Sequence, residues 1–378
     1  MKKQVTIAVL AALGAGATQV ASAQETSVTI YGRAHVSFEQ IRKSGQETTQ
    51  FLKNNTSRIG FRGEEALGSG LKAFFQIESG VALDDGSTGG SNKLAGRETF
   101  VGLKNDYGTV KAGNFYHPYD DLHGISGNYF QLFTGTSNDA TLWANGSSAA
   151  TGGFDERLPN AVSYESPKFG GLSAKLWYSF GPSDNGGEEQ LGDDGSRMFS
   201  ANVVYENGPL KAAWGHLQQR RMEAQSKNFY EDGYSNFITA GYQAGPFYFA
   251  GLVERDELKN INQSGDSRTR NYWHLLAKYT TGAHTVGAFY GKAYDWKGDA
   301  GRDDSGARMY TVGYNYALSK RTQVYALYTN LKNDDAGAYN LGGSPARVNP
   351  TSSNPALNDW TIAAEKQSGI VVGMAHNF

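Results

Sequence analysis

The sequence predicts an all-β protein, a transmembrane antiparallel β-barrel of sixteen strands. Three observations carry that prediction. Apolar residues fall on every second position in one segment after another, which is the strand period. Short turns and long polar connections alternate along the chain, as they do in membrane barrels. The 378-residue chain opens with an export leader, yet it has no cysteine and a mean hydropathy of -0.51. An exported fold of this composition is not held by disulfides. Beyond the leader, no window approaches the roughly 20 apolar residues of a membrane helix.

The leader is "MKKQVTIAVLAALGAGATQVASA", residues 1–23. Lys2 and Lys3 make a basic start, an Ala-rich apolar stretch follows, and Ala21-Ser22-Ala23 fits a small-residue cleavage site. A membrane anchor is the alternative, but the apolar run is short for one. The expected organisation is a signal peptide over 1–23 and one barrel domain over 24–378, with no Pro- or Ser-rich linker inside it. Loss of Lys2 and Lys3 leaves 33 bases against 37 acids, a net charge of about -4. That balance offers no basic footprint for nucleic acid.

The first strand is "VTIYGRAHVSFE": Val28, Ile30, Gly32, Ala34, Val36 and Phe38 alternate with Thr29, Tyr31, Arg33, His35, Ser37 and Glu39. "LSAKLWYSF", "FSANVVYE", "LKAAWGH" and "SNFITAGYQ" alternate likewise. Tight turns fall at "EEALGSG", "KNDYG", "SPKFGG", "ENGP", "QAGP", "TTGAH" and, more weakly, "LSKR". Long polar stretches lie at 40–52, 81–95, 116–156, 183–196, 220–233, 257–268, 295–306 and 332–367. Seven turns and eight long connections join sixteen strands. Both termini then lie on the short-turn side, so "SGIVVGMAHNF", ending on Phe378, can pair with the strand at 28–39. Such closure removes the edge strands that lipid does not tolerate. A soluble sandwich or propeller lacks this regular alternation. Its dry core would also have to hold Arg33, Arg58, Arg62, Lys72, Glu78 and Lys175, at several kcal/mol for each unpaired charge. The interior is therefore expected to be wet. Tyr and Phe near strand ends fit either a membrane-boundary girdle or ordinary β-propensity.

The chain resembles the general bacterial porins of the outer membrane, and most closely those of β-proteobacteria. The carrying stretches are "VTIYGRAHVSFE", "NNTSRIGFRGEEALGSGLKAFFQIESG", "RETFVGLKNDYGTVKAGNFYHPYDD", "RLPNAVSYESPKFGGL" and "VVGMAHNF". The resemblance implies a homotrimer, a third loop folded into the pore, and a terminal Phe378 read by the barrel-assembly machinery. It implies no catalysis and no cofactor. The expected partners are outer-membrane lipid and lipopolysaccharide, together with small polar solutes and ions.

The third connection, 116–156, also stands out on its own. It is the longest connection, and long loops without structure of their own are usually functional. It has no Lys or Arg, carries Asp120, Asp121, Asp139, Asp155 and Glu156, and is rich in aromatic and apolar residues ("GISGNYFQLFTG"). Folding it into the barrel would bury that apolar content; an acidic surface loop is the alternative. Opposite it a basic wall is expected, because parity points Arg33, Arg58 and Arg157 inward. By resemblance, these three match basic positions of the porin constriction. The family usually has a fourth, an Arg, where this chain has Asn114, which weakens the expected positive wall.

Other motifs are sparse. "LGSGLK" lacks the Lys-Ser/Thr of a phosphate-binding loop, and the seven histidines show no metal spacing. Paired loop acids, among them Asp84-Asp85, Asp193-Asp194, Asp303-Asp304 and Asp334-Asp335, could hold Ca²⁺, although solvated loop charge is the plainer reading. The function expected is a passive channel for ions and small hydrophilic solutes. A substrate-specific channel with a lumen aromatic track (Tyr31, Phe74, Trp177) is the alternative, and an outer-membrane barrel enzyme is a more distant one.

Overall fold

The computed structural model describes residues 27–88, 94–127, 135–137, 139, 142–143, 154, 157–181, 197–220, 232–261, 265–341 and 364–378. The expected signal peptide, Asp155, Glu156 and the Asp193-Asp194 pair lie outside the described residues.

Strands form wherever the period-two pattern runs. They are β1 (Ser27–Lys43), β2 (Thr49–Asn54), β3 (Arg58–Gly68), β4 (Leu71–Gly80), β5 (Thr99–Asn105), β6 (Gly108–Tyr116), β7 (Arg157–Glu165), β8 (Leu172–Ser179), β9 (Arg197–Asn207), β10 (Leu210–Arg220), β11 (Asp232–Ala244), β12 (Phe247–Ile261), β13 (Asp266–Thr281), β14 (His284–Ala293), β15 (Ala307–Ala317), β16 (Thr322–Asn333) and β17 (Lys366–Asn377). All belong to one sheet of 17 strands. β2 and β3 both pair with β1, β2 along Val36–Ile41 and β3 along Ser27–Arg33. They are two halves of one stave, so the 17 strands make a ring of sixteen. The stave breaks at Asn55–Ser57, where Thr56 takes a φ of +57°.

The ring closes between the ends of the chain. β1 and β17 pair antiparallel from Arg33↔Asn377 to Lys43↔Gln367. Gly32 and Phe378 then exchange backbone hydrogen bonds of 3.0 and 3.1 Å. A Cβ at Gly32 would collide with the Phe378 ring and the Arg58 carbonyl, so glycine lets the seam close.

All seven predicted turns join consecutive strands. Two of the predicted long connections are shorter than expected, because β1 runs on to Lys43 before β2 at Thr49, and β12 runs to Ile261 before β13 at Asp266. The outward positions there are polar (Gln40, Arg42; Glu257, Lys259) although Ile41, Leu258 and Ile261 stay buried inside, so the polar run resembles a loop.

The faces are inverted relative to a soluble protein. Ile30, Val101, Ile238 and Leu275 are about 60% exposed on the outside, whereas inward Ser235, Asp256, His274 and Thr311 are fully buried. Apolar groups outward and polar groups inward suit a hydrocarbon solvent. The lumen is not uniform. Along β9–β16 it is filled by an apolar cluster including Leu217, Phe237, Leu252, Tyr272 and Met309, joined by Tyr119, Leu122 and Trp143 of the third connection.

Candidate functional site

The third connection begins at the end of β6 with two short helices, α1 (Pro118–Asp121) and α2 (His123–Ser126). Pro118 suits the first turn of α1, since it has no N–H to leave orphaned. The His117 side chain accepts a hydrogen bond from the Asp120 backbone N–H at 3.3 Å. The segment attaches to inward-facing side chains of successive strands. Asn202 on β9 donates to the Pro118 carbonyl at 2.8 Å, and the Tyr119 N–H donates to Ser200 at 3.1 Å. Ser126 bonds Thr239 on β11 and lies 3.0 Å from His274 Nε2 on β13. Further along, Thr136 donates to Glu39 on β1. The described parts of the connection therefore lie against the inner face of the ring, where Trp143 stacks on both Tyr119 and His123.

A buried charge network underlies this attachment. Arg270 on β13 donates to Asp256 at 2.6 Å and to the Tyr339 hydroxyl at 2.9 Å, and it lies 3.5 Å from Glu254. Its guanidinium sits over the Trp296 ring, 5.1 Å from the centroid. The Tyr119 hydroxyl reaches both Ser235 and Glu254 at 2.6 Å. Burial first, then Glu254 and Asp256, push that hydroxyl well above the ordinary tyrosine pKa.

The wall along β1–β7 is different. Arg33 and Arg58 are direct cross-strand partners. Arg58 Nε lies 3.4 Å from Glu78 on β4, and Arg97 Nε lies 2.6 Å from the other oxygen of the same carboxylate. Tyr31 donates to Glu78 at 3.0 Å, and Arg33 Nη2 contacts His35 at 3.1 Å. Arg58 and Arg97 both bear electrostatically on Arg33. Two guanidinium groups thus share one carboxylate, and Arg33 stands beside them.

Arg97 escaped the sequence reading for a physical reason. By strand parity it belongs with Val101 on the outer face. The turn before β5, with Ala95 at a φ of +63°, swings it inward instead. Asn114 lies beside this wall, where its amide donates to the Arg97 carbonyl at 2.8 Å. Arg157 stands opposite Tyr116 in the β6–β7 register, with its guanidinium over that ring at 4.5 Å, while the adjacent pair Phe115 and Leu158 joins the lumen cluster. The register shift beside Asn160 thus takes Arg157 off the inward parity expected of it.

The loop acids separate. Asp121 is tied to Lys175 on β8 at 3.0 Å, and Asp120 sits half-buried in α1. Asp139 is fully buried, 2.8 Å from His123 and 3.8 Å from His274, so it faces the packed side of the loop and not open water. The expected aromatic track is also dispersed. Trp177 is buried edge-on against Phe115 and His117, and Tyr31 commits its hydroxyl to Glu78. Phe74 packs against Phe100.

Among the described residues no group of three or more His, Cys, Asp or Glu side chains is placed to hold a metal ion. Asp303 pairs with Lys297 at 2.6 Å, and that contact draws its carboxyl below the usual range. Asp85 accepts from the Ser87 N–H at 2.8 Å.

Residues 6–336 match the family model described as "Gram-negative porin". The chain is 31% identical to "Outer membrane porin protein 32" of Delftia acidovorans, with 100% of both chains covered. It is 28% identical to "Major outer membrane protein P.IB" of Neisseria gonorrhoeae, over 86% of this chain and 92% of that one. Among solved structures, the "Anion-selective porin from Comamonas acidovorans" superposes with a TM-score of 0.72 at 27% identity, covering 94% of this chain and 100% of the other. With its closed ring, its outward apolar face and its charged lumen, the chain belongs to the Gram-negative porin family.

Proposed function

We propose that this outer-membrane diffusion channel passes anions in preference to cations, along the wall of β1–β7. One observation carries the reading: Arg58 and Arg97 share a single carboxylate, Glu78, and Arg33 lies directly across the strand from Arg58, which leaves a local excess of positive charge beside water. The acids of the third connection offset it weakly, since Asp121 is neutralised by Lys175 and Asp139 is buried. A charged wall opposite a dipolar loop orients polar solutes and disfavours apolar ones. Ions and small hydrophilic solutes cross passively, and this route calls for no cofactor and no catalytic group. The name of the Comamonas acidovorans relative agrees with the sign.

Planar-bilayer recordings under a KCl gradient test the reading. The reversal potential is expected on the anion side, and Arg97→Ala should move it toward cations, most at low salt where screening is weakest. A cation-selective wild type, or an Arg97→Ala channel with unchanged potential, overturns it.

Assembly belongs to the same proposal. A homotrimer is supported by the apolar outer face of β3–β5, where Ile59, Phe61, Ile77 and Val101 are exposed. Phe378, at the seam with β1, is the residue through which the barrel-assembly machinery would recognise the chain. Lipopolysaccharide is the expected lipid partner. Deletion of Phe378 should lower the yield of heat-modifiable trimer.

A further inference from the structure

The outer face carries a charge pattern that the channel does not use. Lys292, Arg308, Lys332 and Lys366 stand directly opposite one another on four adjacent strands, through the pairs Lys292↔Arg308, Arg308↔Lys332 and Lys332↔Lys366. Their parity is that of outward residues: Arg308 alternates with buried Ala307 and Met309 and shares its face with Tyr310 and Val312. Directly opposed side chains in a sheet are about 5 Å apart at Cβ, and like charges so placed destabilise it. Local compensation is slight. Lys332 has Glu365 at 3.4 Å, while Arg308 has no hydrogen-bond or ion-pair partner among the described residues.

The depth of the row is informative. All four residues sit where strands meet the long connections, and long connections lie on the outer side of such barrels. One pleat step toward the membrane centre, Tyr290 and Tyr310 are paired, and Tyr328 packs against Tyr310 with ring centroids 6.0 Å apart. Tyrosine rings favour the membrane–water boundary. The cations therefore stand just beyond that boundary, at the level of lipid headgroup phosphates. Four strands about 4.8 Å apart give a row wide enough to meet more than one phosphate. Outward cations on β9–β12 are matched locally: Arg220, opposite Arg197, pairs with Asp232 at 3.3 Å, Lys259 pairs with Glu257 at 3.5 Å, and Arg255 donates to Asn271 at 3.2 Å.

We infer that Lys292, Arg308, Lys332 and Lys366 form a docking site for a multiply phosphorylated lipid headgroup of the outer leaflet. The phosphates neutralise the opposed cations through charge-assisted hydrogen bonds, and Tyr290 and Tyr310 lie against the start of the acyl region. This inference places the lipid partner proposed above and is independent of how the pore selects ions.

The test compares full-length wild type with the double variant Arg308→Gln/Lys332→Gln, both purified in neutral detergent. Binding of a diphosphorylated lipid A is followed by native mass spectrometry and by the shift it causes in thermal unfolding. Wild type should bind, and removal of two charges should weaken binding at least about tenfold. The dephosphorylated lipid should bind neither protein, and inorganic phosphate should fail to reproduce the thermal shift. Without lipid the variant should be at least as stable as wild type, since like-charge repulsion is relieved. The inference is overturned if both proteins bind alike, if dephosphorylated lipid binds equally well, or if inorganic phosphate suffices. Conductance in the same preparations should not differ, which separates failure of this site from failure of the channel reading.

Discussion

The lumen wall along β1–β7 and the wall along β9–β16 carry the same kind of residue, inward-pointing arginine, to different ends. Arg58 keeps 30% of its side chain exposed and stands 3.4 Å from a carboxylate shared with another arginine. Arg270 is fully buried, held by Asp256 at 2.6 Å and capped by Trp296 and Tyr339. The first remains available to passing ions. The second fixes the scaffold on which the third connection rests. The difference teaches that inward parity in a barrel does not define a role. What decides it is whether a loop covers the site and excludes water, because an exposed ion pair contributes little whereas a broken buried one costs much.

The sharpest way to break this comparison is Arg270→Ala. It leaves Glu254 and Asp256 buried without their counter-charge, so unfolding should become easier by about 3–5 kcal/mol. Arg58→Ala should change stability by less than about 1 kcal/mol. Thermal unfolding of the two variants in one detergent checks this; comparable losses would erase the distinction between the walls.

Tyr119→Phe sharpens the comparison at the loop itself. It removes the hydroxyl shared by Ser235 and Glu254, and a loss of about 1–3 kcal/mol is expected, with noisier single-channel current as the connection loosens. The same hydroxyl sets a pH limit. Its folded pKa is raised above the unfolded value of about 10, so its contribution is complete below that pH and is lost as pH rises through the folded value. Wild-type stability should therefore decline more steeply above about pH 10 than that of Tyr119→Phe.

On the open wall the measured quantity is selectivity. Arg97→Ala should shift the reversal potential more than Arg157→Ala, because Arg97 belongs to the cluster on Glu78 while Arg157 stacks over Tyr116. Equal shifts would mean that the field is spread along the wall and not focused at Glu78. The smallest effect is expected outside both walls: Asp303→Asn removes an exposed loop pair with Lys297 and should leave unfolding and conductance unmoved.

Much of this molecule is legible in its sequence, and the residues show why. The alternation of Val28, Ile30 and Val36 with Arg33, His35 and Glu39 encodes two faces, because a strand sends successive side chains to opposite sides. Gly or Pro at six of the seven turns marks the reversals, and Ser319 stands at the seventh. Together they determine the count of staves, the inward face of Arg33 and Arg58, and the pairing of the last strand with the first. The ends of β1 and β12 were less legible, since their outward positions are charged or polar (Arg42, Glu257, Lys259) and only Ile41, Leu258 and Ile261 keep the inward half of the pattern.

The sequence by itself thus determined the barrel, its polarity and the sign of most inward residues. Tertiary structure alone decided the rest. It turned Arg97 inward against its strand parity through a backbone turn at Ala95. It buried Asp139 between His123 and His274, and it enclosed Arg270 beneath Trp296 and Tyr339. It aligned Lys292, Arg308, Lys332 and Lys366, which are scattered over 75 positions of the chain, into one row. Period-two patterning reports only which face a residue occupies. Depth along the barrel, cover by a loop and register with a distant strand arise when the ring closes, and those determine which charges meet water, lipid or one another.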